Sequence, residues 1–321
     1  MYDYFMQKLV WQMFILGCEN IETPLKKGAG GVIFFTKDIK SEYQFKNLIS
    51  DIKQFALIPP FLSIDQEGGR VERTEKIRPK RLSAKYAYEK GFDYLKIQSD
   101  EISKELFELG LNLNFAPCID VNSNPNNPII GERSFSNNPD DVIKGMQVFI
   151  DSSRNFGVIP CVKHFPGHGD ADKDSHLTLP QIDLTLKEME EIHIKPFKYA
   201  VEQNIEMIMV AHLHCTCFDK EILPTSLSKN AVGYLRNKLN YNGVIISDDM
   251  VMKGVQDYGT LDAVIMGIKA GLDMFIFRNS DEHTINMINE LCTIVEKDAV
   301  LRKRIEESYN RILNLKQKYF V

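Results

Sequence analysis

Eight short, nearly continuous apolar runs recur along the chain, each closing on a polar residue and followed by a loop and an amphipathic stretch. They are WQMFILG at 11–17, GVIFFT at 31–36, PFLSID at 60–65, LNLNFAP at 111–117, VIPCVK at 158–163, EMIMVAH at 206–212, GVIISDD at 243–249 and LDMFIF at 272–277. Strands apolar on both faces are those of a parallel sheet covered on both sides. The intervening stretches predict helices. Ser41-x-x-Gln44 is a capping-box start for a helix to about residue 56. Asn138-Pro139-Asp140 sets a cap residue, a first-turn proline and an acid at the head of another. Residues 185–204, 228–239, 259–271 and 281–298 follow with helical spacing, and 300–319 closes the chain. Eight strands predict an α/β fold, a single-domain (β/α)8 TIM-like barrel spanning 1–321. Its first helix is short or irregular, because the 18–30 link is too brief for a full one. Periodicity alone does not separate the barrel from an open doubly wound sheet.

The connections at 66–92, 118–138 and 164–184 are long, and in a barrel they stand at the C-terminal mouth, where active sites are built. The strand tips there carry Asp65, Lys163 with His164, His212 and the pair Asp248–Asp249. Strands must end and tips are wet, so any one of these has a structural explanation; several around one mouth suggest chemistry. Lys163 to His176 is the densest stretch, with three histidines and three aspartates pinned by Pro166, Gly167 and Gly169. Asp174 and His176 lie two apart, so a turning loop can join a carboxylate to an imidazole and make an acid/base usable near neutral pH. Neighbouring residues on a strand face opposite ways, so only one of Asp248 and Asp249 can face a given pocket; the other suits capping of the next turn. A carboxylate nucleophile opposite a general acid is the arrangement of retaining glycoside cleavage, here with a histidine in place of the second carboxylic acid.

The 321 residues are 44% hydrophobic and 26% charged, which excludes a disordered chain. Lys and Arg number 39 against 44 Asp and Glu, a net charge of -5, so no nucleic-acid partner is expected. No apolar run is long enough for a membrane span. Cysteines 18, 118, 161, 215, 217 and 292 form no CxxC pair and read as free thiols of a reducing compartment. Leu9 to Cys18 superficially resembles a lipoprotein signal, but the preceding stretch has Asp3 and one lysine, Lys8. A buried first strand and a cytoplasmic location are the expectation. A rival chemistry would use His212, His214, Cys215 and Cys217 with His164, His168 and His176 as zinc ligands, although the spacing is not that of a structural zinc site. The expectation is no metal and no cofactor.

Ile64–Val71 (IDQEGGRV), Gly131–Phe135 (GERSF), Lys163–Asp170 (KHFPGHGD) with Asp174-Ser-His176, and Ser247-Asp-Asp249 occur in this order. They resemble glycoside hydrolase family 3 and, within it, the NagZ-type bacterial β-N-acetylglucosaminidases, from about residue 8 to 280. The resemblance implies that Asp248 is the nucleophile, that His176 is the acid/base, and that Asp174 tunes it. It also implies that Asp65, Arg73, Arg133, Lys163 and His164 hold the N-acetylglucosamine. Many relatives take their acid from a second domain; here the Asp174–His176 loop would supply it. The expected substrate is a small carbohydrate, a muropeptide from which terminal N-acetylglucosamine is released at its β-1,4 link to anhydro-N-acetylmuramic acid, with or without peptide. The expected enzyme is a monomer that binds neither nucleic acid nor membrane. A phosphorylase of the same family stays open, because a histidine acid/base repels phosphate less than a carboxylate does. A metal-dependent amidohydrolase and a sugar-binding protein without turnover are readings from other classes.

Overall fold

The computed structural model describes residues 2–171 and 179–320. Among the described residues ten strands occur: β1 (Phe14–Gly17), β2 (Gly31–Phe34), β3 (Phe61–Ile64), β4 (Leu113–Asn114), β5 (Ile159–Phe165), β6 (Gln181–Ile182), β7 (Met207–Val210), β8 (His214–Cys215), β9 (Val244–Asp249) and β10 (Met274–Phe277). Eight of them close a barrel in the order β1-β10-β9-β7-β5-β4-β3-β2, and every pair is parallel. These eight are the apolar runs of the sequence. Their residues are almost wholly buried because side chains fill the barrel inside while helices cover it outside. The remaining two, β6 at the end of the 164–184 connection and β8, form a separate two-stranded sheet.

Local signals placed several helices well. Ser41 Oγ accepts the Gln44 N–H at 3.2 Å and opens the helix Glu42–Phe55, while Gln44 Oε1 reaches back one residue further, to the Lys40 N–H. Asn138 caps Pro139–Asn155 through the Asp140 N–H at 2.8 Å. The link after β1 holds only the six-residue helix Glu22–Lys27.

Three expectations are corrected. The apolar run at 9–18 is not one strand: Tyr2–Trp11 is a helix, and β1 begins at Phe14. Met6, Leu9 and Val10 are all buried, a helical spacing that the adjoining strand disguised. The 185–204 stretch is Leu186–Glu188 and Lys195–Glu202 separated by wider turns at Met189–His193. The long connection at 66–92 contains the helix Ala84–Glu89, and Phe92–Glu108 leads into β4.

The end of the barrel opposite the mouth is tied by two buried charges. Asp273, fully buried before β10, accepts from Arg236 at 2.6 Å, Arg304 at 2.9 Å, Arg311 at 3.2 Å and the Ile245 N–H at 2.9 Å. Lys316, on the closing helix Ala299–Tyr319, donates to Gln12 Oε1 at 2.8 Å, Gly30 O at 3.0 Å and Pro59 O at 2.8 Å. Its ammonium lies 4.8 Å from the Phe61 ring centre, and burial pulls its pKa down to about 7. A rigid floor leaves the mouth as the place where loops vary. No helix among the described residues is long and apolar enough to cross a membrane.

Candidate active site

A cavity of about 550 Å³ opens at the mouth, and the three long connections supply much of its wall: Arg70 and Arg73, then Pro128, Ile129 and Arg133, and His164 with His168. Asp65, Lys163, Asp248, Asp249 and Arg278 enter from strand tips. Every candidate sugar-holding residue thus lines one space, together with Asp248. Asp174 and His176 lie outside the described residues, and no geometry is assigned to them.

One carboxylate that composition and spacing did not single out organises the cations. Glu67, buried, accepts Lys163 Nζ at 2.5 Å and takes Arg133 in a two-pronged grip, Nε at 2.9 Å and a terminal nitrogen at 2.8 Å. Lys163 also reaches Asp65 at 2.7 Å. Burial alone would raise the Glu67 carboxyl, but Arg133 and Lys163 outweigh it and hold the group far below the usual carboxylate range. Burial works against both cations too; Asp65 with Glu67 keeps Lys163 charged, and Glu67 keeps Arg133 charged.

Asp120, the second missed residue, orients the histidines. Completely buried, it accepts His164 Nδ1 at 2.7 Å and the His168 N–H at 2.6 Å. Burial opposes its charge, and His164 nonetheless keeps it well below the ordinary range. With Nδ1 engaged, His164 turns Nε2 toward Arg133, 3.5 Å away. The strand-tip rule points to Asp120, since it stands just past the fourth apolar run; Glu67 sits inside the IDQEGGRV motif, where only its charge distinguishes it.

The tip of β9 separates its two aspartates. Asp249 is occupied: Oδ1 accepts the Val251 N–H at 3.1 Å and the Arg278 N–H at 3.2 Å, and Oδ2 pairs with Arg278 Nε. Asp248 meets no cation in a hydrogen bond among the described residues; Oδ1 accepts the Asp249 N–H at 2.7 Å. Burial pushes the Asp248 carboxyl up, but His164, His212, that N–H and Lys163 prevail and lower it. The turn-capping role thus belongs to Asp249, and Asp248 is an ionised carboxylate at the cavity wall.

Two glycines explain how the 164–184 connection lies so close to its neighbours. A Cβ on Gly169 would stand 1.7 Å from Val121 O, and Gly167 adopts φ +124 against His193. Arg73 lies 6.0 Å from the Phe35 ring, and its buried Nε has no hydrogen-bond partner among the described residues.

Among the described residues the zinc set is not assembled; His176 lies outside them. His212 Nδ1 is 2.7 Å from Ser226 Oγ, His214 Nδ1 is 3.3 Å from Leu223 O, and Cys215 Sγ is 3.2 Å from Cys217 Sγ. Among the described residues one trio brings ligand atoms within 4.8 Å of each other, Cys118, Asp120 and His164. Its carboxylate is already spent on the histidines, and burial drives the Cys118 thiol well up, away from the thiolate a metal needs.

A closed parallel barrel with an ionised aspartate and a polar cavity at its C-terminal mouth has the arrangement of a (β/α)8-barrel enzyme. Residues 17–315 match the glycosyl hydrolase family 3 N-terminal domain, and the chain belongs to that family. It is 33% identical over 318 residues to β-hexosaminidase A of Pseudoalteromonas piscicida, covering 90% of this chain and 53% of the relative. It is also 33% identical over 309 residues to a β-hexosaminidase of Actinobacillus pleuropneumoniae serotype 5b (strain L20), covering 92% of this chain and 87% of the relative. The structure of a glycoside hydrolase family 3 β-N-acetylglucosaminidase from Paenibacillus sp. str. FPU-7 superposes with a TM-score of 0.91 at 29% identity, over 98% of this chain and 62% of that one. The chain therefore spans about half of the first relative and under two thirds of that structure.

Proposed function

We propose that this protein is a retaining exo-β-N-acetylglucosaminidase acting on peptidoglycan fragments. The observation that carries the reading is Asp248: a carboxylate held ionised by its surroundings yet paired with no cation among the described residues, on the wall of the mouth cavity. An anion kept charged but left free of an ion pair is suited to nucleophilic attack. With Oδ1 engaged by the Asp249 N–H, Oδ2 attacks the anomeric carbon, and the glycosidic bond to the leaving oxygen breaks. His176, tuned by Asp174, gives that oxygen its proton. It then takes a proton from water, which cleaves the glycosyl–aspartate ester and returns Asp248 as carboxylate with the β-configuration retained.

Asp65, Arg73, Arg133, Lys163 and His164 hold the sugar. Lys163 and Arg133 reach the cavity already fixed by Glu67, so their donors are pre-oriented toward hydroxyl or acetamido oxygens and lose little freedom on binding. The natural substrate in this reading is N-acetylglucosamine β-1,4-linked to anhydro-N-acetylmuramic acid, with or without peptide, handled in the cytoplasm by a monomer. The 33% identity to β-hexosaminidases supports the reaction class.

The test is nitrophenol release from the β-N-acetylglucosaminide, with proton NMR following the sugar as it forms. The β-anomer of free N-acetylglucosamine appears first, turnover survives chelator, and Asp248→Ala loses at least about a thousandfold in kcat while remaining folded. Initial formation of the α-anomer, or substantial turnover by Asp248→Ala, removes Asp248 as nucleophile. Sugar 1-phosphate as the main product in phosphate buffer replaces the hydrolase by a phosphorylase.

A further inference from the structure

We propose that Arg278 is the residue that selects the leaving group, by gripping a carboxylate on it, and that Asp249 is the positioning residue that holds Arg278 for this task. The inference rests on the glycosidase reading of the Asp248 centre and goes beyond the sugar-holding residues of that reading.

The argument begins with the cavity's cations. Arg133 and Lys163 are neutralised by Glu67 and Asp65. Arg70 is spent on the carbonyls of Pro128 and Ile129, and Arg73, which has no ion pair among the described residues, stands over the Phe35 ring and belongs to the sugar in the reading above. Arg278 differs from these. It follows β10 at the rim, its side chain is 45% exposed, and it pairs through Nε alone. Its two terminal nitrogens have no partner among the described residues, so the outer edge of the guanidinium fork is unoccupied.

That edge is held in place. Asp249 fixes Arg278 twice, accepting its main-chain N–H at 3.2 Å and its Nε. The β10–β9 register shifts between Met274 and Ile276 and sets Ile276 beside Asp249, so Arg278 lies just beyond the carboxylate that anchors it. The tip of β1 yields to this arrangement: a Cβ on Gly17 would fall 2.1 Å from Arg278 O. A guanidinium anchored by its inner edge, with two parallel N–H donors free, fits a planar carboxylate.

N-acetylglucosamine is uncharged and needs hydrogen bonds, not a further cation at the rim. A charged partner must therefore come from beyond the scissile bond. Muramic acid and the peptide attached to it carry such carboxylates. The second aspartate of the Ser247-Asp-Asp249 motif thereby gains a role of its own, distinct from the chemistry of the first.

The experiment compares two leaving groups that differ in charge and by one methyl group: the N-acetylglucosaminyl-anhydromuramic acid disaccharide and its methyl ester. The wild type should prefer the acid by about 5- to 20-fold in kcat/KM, as a partly exposed charge-assisted contact permits. The preference should reside in KM and shrink as salt is raised. Arg278→Gln should bring the acid-to-ester ratio close to one, and Arg278→Lys should keep part of it. Asp249→Asn should lower it, with little further loss in the double variant. A ratio unchanged in Arg278→Gln overturns the proposal. So does an Arg278→Lys protein with no more preference than Arg278→Gln, or a phosphate-dependent product lost with Arg278, which would give the guanidinium to an acceptor anion instead. Failure of the wild type to release nitrophenol would instead overturn the glycosidase reading.

Discussion

Replacing Glu67 by Gln keeps the side chain's shape and removes one charge from the middle of a buried cluster. In the native protein that carboxylate serves two cations, Lys163 at 2.5 Å and Arg133 at 2.8 Å, whose side chains are 2% and 11% exposed. The amide cannot neutralise them. Lys163 retains Asp65, but Arg133 is left with one carbonyl and an imidazole edge. Removing one partner of a buried ion pair costs about 3–5 kcal/mol, because the remaining charge stays desolvated. At about 2–3 °C for each kcal/mol in a chain this large, the melting temperature should fall by roughly 6 to 15 °C. The pH dependence supplies a sign. Glu67 is far more acidic folded than unfolded, so its contribution is complete above the unfolded pKa of about 4.3 and is lost as pH falls below it. Thermal melts of parent and variant should therefore lie furthest apart at pH 7 and converge in acid. A gap of less than about 2 °C at pH 7, or one that widens on acidification, refutes the reasoning that the cluster is organised around this carboxylate.

Other outcomes follow from the same geometry. Gly169→Ala forces a methyl against Val121 O and should cost about 1–3 kcal/mol while lowering kcat/KM; a variant unchanged in both melt and rate would show that the loop shifts freely. Lys316→Met strips the donor from three oxygens beneath the barrel, each worth about 1–3 kcal/mol when left buried and unpaired, and should lower the melting temperature. A rise instead would mean that desolvating the ammonium costs more than its contacts return. His176→Ala should keep much activity on the nitrophenyl substrate, whose leaving group needs no proton, and lose it on the natural disaccharide; equal loss on both counts against the acid role.

The order of strands was legible without a structure, because strands covered on both faces must be apolar throughout and the chain marks them as discrete runs. Caps at Ser41 and Asn138 were equally plain, since one side chain meets a backbone N–H two or three residues away. The N-terminal helix was not, because Leu9, Val10 and Trp11 are apolar for the helix and adjoin a strand that is apolar for another reason.

At the site, motifs named most of the residues that gather around the cavity, but residue type and spacing could not say which charge faces which. Lys163 meets Asp65 across 98 positions, and Glu67 meets Arg133 across 66. Such pairs answer a desolvation problem: each buried charge needs an opposite one within reach, and only the closed barrel decides which tips approach. The same holds for Asp248 and Asp249, chemically identical neighbours in the chain. Both line the cavity, against the alternation expected of a strand, but packing gave one of them Arg278 and the turn amides and left the other without a cation among the described residues. Local patterning determined the elements and the residue types at their tips, because burial and capping are read over a few residues. The tertiary structure alone assigned partners to the charges, because that depends on what closure of the sheet brings together.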